Sequence, residues 1–264
     1  MKLYILDQGA LECDKNWIVA MSTYATIDHK NITPIWTKMP VYSVLIDHPE
    51  GKFIFDMGCD REINDIMKKL GKHHYKSFPY IYTEEQYFEN QLKLTNSSID
   101  DIKAIVLSHM HYDHVGNLPL FDGKDTNVYV HKNEYEDVFL NNAGGFYFDK
   151  YLKDPKLYYV PIDEEMKLAD GVTIIPFGSC HTSGMLGILV ELNEGNFIFP
   201  SDVCYSKENY GYPIKPNGKV YDSIGFIKEI EKLHHLAEKY NAKVMFPHDI
   251  SEFLTYKKAP YYYE

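Results

Sequence analysis

Three imidazoles and one carboxylate fall within six positions in Ser108-His109-Met110-His111-Tyr112-Asp113-His114-Val115-Gly116. Polar groups packed this closely are costly to take out of water unless something binds them. A metal ion suits the spacing. On extended backbone His109 and His111 point to the same side, because side chains alternate with period two. Two imidazoles can then grip one ion, while a turn after His111 swings Asp113 and His114 toward a second. Nitrogen ligands with one or two carboxylates suit zinc; iron, manganese and cobalt also fit.

One motif cannot complete two coordination spheres. Three further candidates each follow an expected strand: His181, Asp202 and His248 come after the apolar runs at Val172–Phe177, Phe197–Pro200 and Lys243–Phe246. Polar residues emerging at strand ends are how a rigid scaffold usually presents a site. The other histidines, His29, His48, His73, His74, His131, His234 and His235, have no such company and read as surface or packing residues.

The elements that must position these groups are legible in outline. Met1–Asp7 reads as a short strand. Pro40–Asp47 and Lys52–Asp56, separated by Pro49-Glu50-Gly51, read as a hairpin. Helical patterns follow at 61–70 and 83–94, the second opened by Thr83 and Gln86 in capping-box spacing. Residues 102–108 form a short apolar run ending at His109, a buried strand. Asn127–His131 and Gly187–Leu192 are further strands. Residues 222–240 are the longest helix, with Ile224, Ile227, Ile230, Leu233 and Leu236 expected in the core. Many short strands separated by a few helices suit two packed β-sheets with helices outside, an α/β sandwich. No glycine-rich phosphate loop follows a strand, against a Rossmann or P-loop reading.

The chain has 264 residues, a net charge of −11 and 45% hydrophobic residues. An ordinary globular core is expected, and 1–264 is read as a single domain. The acidic balance argues against nucleic-acid partners. No apolar run approaches a membrane span, and the N-terminus does not resemble a signal peptide, so a cytoplasmic location is expected. Cys13, Cys59, Cys180 and Cys204 show no paired spacing and read as buried free thiols.

His-x-His-x-Asp-His, followed by a later His, a later Asp and a final His, resembles the metallo-β-lactamase superfamily over most of the chain, from the hairpin onward. Residues 202–209, Asp-x-x-Tyr-x-Lys-Glu-Asn, and Phe246-Pro247-His248-Asp249-Ile250 are similar to segments of the N-acyl-homoserine lactonase group. The beginning of the chain, Pro40–Ile46 and the tail from His248 to Tyr256 resemble 4-pyridoxolactonase. Both relatives open a lactone ring.

The resemblance implies an αββα sandwich of two mixed β-sheets with outer helices. It implies two metal ions, the first held by His109, His111 and His181, the second by Asp113, His114 and His248, with Asp202 bridging. Tyr205 would stand beside the substrate, stabilising the oxyanion, and Asp113 would pass a proton to the departing ring oxygen. Asp56, in an Asp-x-Gly turn, would hydrogen-bond a ligand histidine; the role of Asp249 stays open. One departure concerns Met185, which stands where the family usually has a second histidine near His181. It cannot make the same hydrogen bonds, which puts the surroundings of the first metal in doubt.

The implied function is opening of a small lactone, an N-acyl-homoserine lactone in a quorum-quenching role or a 4-pyridoxolactone-like ring. A glyoxalase II-type thioesterase would want a C-terminal extension, whereas sixteen residues follow His248. A non-catalytic metal-binding protein is the rival from another class. The apolar segment 13–40 (Trp17, Ile18, Val19, Met21, Tyr24, Ile35, Trp36) is expected to form a lid or an interface, the latter implying a homodimer. Phe78, Tyr80, Tyr82, Phe146, Tyr147 and Phe148 are candidate pocket walls.

Overall fold

A computed structural model gives the fold and describes every residue except Lys72 and Asn142. The chain forms two mixed sheets. The first contains β1 (Lys2–Asp14), β2 (Trp36–His48), β3 (Gly51–Phe55), β4 (Tyr80–Ile81), β5 (Ile102–Val106), β6 (Asn127–His131) and β7 (Tyr158–Ile162), in the order β4-β1-β2-β3-β5-β6-β7. The second contains β8 (Met166–Ala169), β9 (Val172–Phe177), β10 (Met185–Leu192), β11 (Gly195–Phe199) and β12 (Ala242–Val244), in the order β12-β11-β10-β9-β8. Strands β3, β5, β6 and β7 run parallel, as do β11 and β12; the other pairings are antiparallel.

Period-two patterning builds the layers. Leu3, Ile5, Val44, Ile46, Phe53, Phe55, Ala104 and Val106 face the second sheet, which meets them with Val172, Ile174, Leu186, Ile188, Val190, Phe197 and Phe199. The intervening Tyr4, Leu6, Leu45, Ile54 and Ile105 pack outward with the first sheet's helices and loops. Ile175, Leu189 and Ile198 pack outward from the second sheet against the helix Ser223–Lys239. Both faces of the central strands are therefore buried, which explains their continuous apolar runs. This is the expected αββα sandwich.

Several expected elements change in detail. The first strand continues to Asp14 through a register shift between Asp7 and Ala10, where Gly9 takes φ +89°. Residues 83–94 are not one helix. The Thr83–Gln86 capping box forms, but it closes a 3₁₀ turn, Tyr87 is extended, and a helix restarts at Phe88–Lys93. The Asn90 and Gln91 side-chain amides donate to the Glu84 and Glu85 carbonyls, taking up acceptors that a continuous helix would use itself. In the helix Ser223–Lys239, Asp222 caps the first turn as its carboxylate accepts from the Ile224 and Gly225 amides. Its buried stripe is Phe226, Ile230, Leu233 and Leu236, whereas Ile224 and Ile227 are 70% and 40% exposed. Those two lie off the stripe, so their expected core role is corrected.

Segment 13–40 divides. Ile18 and Val19 are buried; Trp17 packs edge-on against Phe78 at 4.9 Å. Met21, Tyr24, Ile35 and Trp36 are exposed. All four cysteines are buried free thiols. Among the described residues no helix is long and apolar enough to cross a membrane.

Candidate metal centre

The strands end together at the site. β5 stops at Val106, and the Leu107 amide still bonds the Tyr129 carbonyl before the chain leaves the sheet at Ser108. His111 caps a one-turn helix, Tyr112–Val115, which turns Asp113 and His114 inward. The turn is held against the β3 exit because the Gly116 amide donates to the Gly58 carbonyl at 2.7 Å. A Cβ at position 116 would lie 2.1 Å from the Asp60 nitrogen, so glycine is required there. Asp202 sits in the 3₁₀ turn Ser201–Val203 after β11. His181 lies between β9 and β10, and His248 follows β12, its amide bonded to the Tyr205 carbonyl at 3.0 Å.

All seven expected ligands are brought together, and all are buried. They form two groups. His109, His111, His181 and Asp202 converge in one; Asp113, His114 and His248 converge in the other. Asp202 spans them. Its Oδ2 lies 3.3 Å from His181 Nε2 and 3.6 Å from His109 Nε2; its Oδ1 lies 2.9 Å from His248 Nε2 and 3.4 Å from His114 Nε2.

The imidazoles are oriented from behind. His109 Nδ1 meets the Ser108 hydroxyl at 3.0 Å, His114 Nδ1 the Asp56 carboxylate at 2.9 Å, His181 Nδ1 the Lys219 carbonyl at 2.9 Å, and His248 Nδ1 the Pro40 carbonyl at 2.9 Å. Such partners fix the tautomer and present the other ring nitrogen. His111 is reversed: its Nδ1 faces His109 Nε2 at 2.8 Å, and its Nε2 meets the Lys219 ammonium at 3.1 Å. Asp56, held at φ +58°, also accepts from the Ser108 amide and from the Ser108 and Ser201 hydroxyls.

Three inward-facing atoms, His114 Nε2, His248 Nε2 and Asp202 Oδ1, are buried with no hydrogen-bond partner. Orphaned buried acceptors and donors are rare, and a cation in each group would satisfy them. The donor set of five imidazoles and two carboxylates fits two divalent ions of the transition series.

Electrostatics agree for the first group; in the second, the Asp202, Asp113 and Asp56 carboxylates overcome burial and raise His114 well above the ordinary imidazole range, so a cation there would take the place of its Nε2 proton. Burial holds His109 and His111 well below the ordinary imidazole range and pushes His181 to about 3, leaving these rings neutral, as metal ligation requires. Burial opposes charge on Asp202, yet the surrounding imidazoles, His114 foremost, overcome it and keep its carboxyl well below the usual range. Burial raises Asp113, against the pull of His114.

A narrow pocket opens onto the centre, lined by His111, Asp113, His181, Asp202, Tyr205 and Lys219 and walled by Leu11, Trp17, Met39, Phe78, Tyr112 and Phe146. The Tyr205 ring stands 4.8 Å from His248 and 5.4 Å from His181. Of the expected aromatic walls, Phe78 and Phe146 line the pocket. Tyr147 packs on His111 at 4.9 Å, Phe148 is buried among Tyr112 and Tyr151, and Tyr80 packs on Tyr82 while its hydroxyl bonds the Gln8 carbonyl; these four do not line it. Asp249 caps the turn Ile250–Phe253. Met185 is fully buried among apolar side chains, and His181 is oriented by the Lys219 carbonyl. Lys219 escaped the sequence reading, since a single lysine in a Pro-Asn-Gly loop carries no signal of its own.

The family model described as the metallo-beta-lactamase superfamily matches residues 36–254. This chain belongs to that superfamily. Over 269 residues, covering 98% of this chain and 97% of the relative, it is 32% identical to the N-acyl homoserine lactonase AiiB of Rhizobium rhizogenes. The fold is similar to a Bacillus thuringiensis AiiA variant with N-decanoyl-L-homoserine bound at the active site, with a TM-score of 0.84 at 23% identity and coverage of 99% of this chain and 98% of that one. It is also similar to AidC, a dizinc quorum-quenching lactonase, with a TM-score of 0.63 at 16% identity and coverage of 94% and 87%.

Proposed function

We propose that this metallo-β-lactamase-superfamily protein is a dinuclear metal-dependent lactonase that opens N-acyl-homoserine lactones, working as a single domain. The observation that carries the reading is the pocket: apolar walls from Leu11, Trp17, Met39, Phe78 and Phe146 lead directly to the ligand cluster. An acyl chain suits those walls, and an ester carbonyl suits the cluster. The named activity of the 32%-identical relative supports the same substrate class.

His109, His111 and His181 would hold one ion, Asp113, His114 and His248 the other, with Asp202 shared; zinc is favoured by the imidazole-rich donor set. Bound there, such a pair supplies an activated water and electrophilic polarisation of a carbonyl. The chain's own groups do the rest. The apolar walls hold the acyl chain and exclude bulk water. The Tyr205 hydroxyl, which burial raises above its ordinary range and therefore keeps protonated, donates to the oxygen that gains charge as the carbonyl is attacked. Asp113 borders the same pocket and is placed to pass a proton to the ring oxygen as the C–O bond breaks.

The test is ring opening by zinc-loaded protein, followed by proton release, on N-hexanoyl-homoserine lactone, 4-pyridoxolactone and a thioester panel. Preferred turnover of the first supports the proposal. Preference for the second reassigns the substrate, and turnover of none removes the enzyme reading.

A further inference from the structure

Lys219 is the one cationic side chain lining the pocket, among the described residues. Its nitrogen lies 3.1 Å from His111 Nε2, 3.4 Å from the His181 carbonyl and 5.6 Å from the Phe146 ring centre. No carboxylate of the described residues comes within 4.0 Å of it; Glu134, Asp202 and Asp113 act on it at longer range. The contact with His111 is conditional. An imidazole that binds a cation through Nδ1 keeps its proton on Nε2. His111 then has no lone pair for Lys219, and the ammonium retains donors with no protein acceptor.

The loop beneath Lys219 is pinned on both sides. The Gly218 amide donates to the Trp17 carbonyl at 2.8 Å, and the Asn217 side chain donates to the Asp202 carbonyl at 3.4 Å. A Cβ on Gly218 would lie 2.3 Å from the Asn16 carbonyl oxygen, so this approach depends on glycine. The Lys219 carbonyl meanwhile holds His181. The ammonium is thus preorganised at the junction of the apolar wall and the metal ligands.

An N-acyl-homoserine lactone carries an acylamino group on the carbon next to the scissile carbonyl, so an amide carbonyl oxygen enters the pocket with the ring. Burying that oxygen without a donor is costly. The metal ligands are committed, and Tyr205 serves the scissile carbonyl. Resting on the lactonase reading, we propose that Lys219 is a specificity-determining residue that donates to the substrate's acyl-amide oxygen and so selects lactones that carry an acylamino group beside the ring carbonyl.

The experiment compares zinc-loaded wild type, Lys219→Met and Lys219→Arg on N-hexanoyl-homoserine lactone and on γ-butyrolactone, which lacks the amide. Zinc content is checked in each, and binding of ring-opened N-hexanoyl-homoserine is measured by calorimetry. The expected result is a loss of kcat/KM in Lys219→Met at least tenfold larger on the acylated lactone, roughly 10- to 100-fold in all and mainly in KM, as for a hydrogen bond to a charged group. Lys219→Arg should recover most of it, and the ring-opened acid should bind Lys219→Met at least tenfold more weakly. Equal losses on both lactones, no loss, or loss of zinc from Lys219→Met overturns the assignment while leaving lactone hydrolysis by the wild type standing. If wild type opens neither lactone, the lactonase reading fails by itself; equal binding of the acid by wild type and Lys219→Met then overturns this inference as well.

Discussion

Asp202 Oδ1 lies 2.9 Å from His248 Nε2, yet the two are not aligned for a hydrogen bond, and each is buried without a partner. Leaving such atoms unsatisfied costs on the order of 1–3 kcal/mol apiece. They belong to strand ends 46 positions apart, placed side by side by the parallel pairing of β11 with β12. A cation coordinated by both would satisfy them together, which makes Asp202 the residue on which the pairing of the two sites depends.

Asp202→Ala should therefore disrupt both sites. Zinc measured by emission spectroscopy after dialysis should fall from two per chain to one or fewer. Lactone turnover should fall by more than about 100-fold, beyond the range expected for a residue that only orients a ligand. Retention of two tightly held ions would remove Asp202 from the bridging position.

Asp56→Asn tests orientation from behind. Asparagine tolerates the positive φ of +58°, so the backbone is spared. The Asp56 carboxylate only accepts, so His114 Nδ1 must carry a proton and Nε2 is the atom left for a zinc ion. Turning an amide NH₂ toward Nδ1 would favour the other tautomer and place the proton on the ligand atom. Affinity of the weaker zinc site, read by chelator competition, should drop about 10- to 100-fold, with the tighter site changed less. An unchanged titration would show that Asp56 does not set the tautomer.

Tyr205→Phe keeps the ring against His248 and His181 and removes the hydroxyl. Loss of a donor to a developing oxyanion costs roughly 100-fold or more in kcat. Steady-state kinetics should show that fall with KM within a few-fold and zinc content intact. A fall confined to KM would make Tyr205 a wall of the pocket rather than a donor.

The sequence yielded the ligands because metal binding concentrates unusual residue types, and the core because both faces of the central strands are apolar. Edge structure was harder to read. Strands β7 and β8 carry residues packed from one side only, and Pro161 interrupts the β pattern of the former. The bulge at Gly9 made one long strand look like a short one. Ile224 and Ile227 have core-like types at helical spacing, but the side of the helix that meets the second sheet depends on the tertiary docking of Phe226 and Ile230. Lys219 acts through a fold-brought contact with His111, 108 positions away, which no local pattern encodes.

Glu134 offers a test of stability against pH. Its side chain is fully buried behind the His109–His111 segment, where Oε1 accepts from the Met110 amide at 2.9 Å. Burial, only partly offset by that amide and by the Tyr147 and Thr182 hydroxyls, raises its carboxyl from 4.5 to about 7. The folded state then binds a proton that the unfolded chain releases above 4.5. The resulting stabilisation is complete below that value and is lost as pH rises to about 7, an effect on the order of 3 kcal/mol. Glu134→Gln keeps the acceptor for Met110 and cannot ionise. Urea denaturation of both zinc-loaded proteins between about pH 5 and 8 should show wild type losing stability relative to Glu134→Gln across that window. Their difference cancels the pH dependence of metal binding common to both, so parallel curves would mean that the Glu134 carboxylate is already ionised in the folded protein at about pH 5.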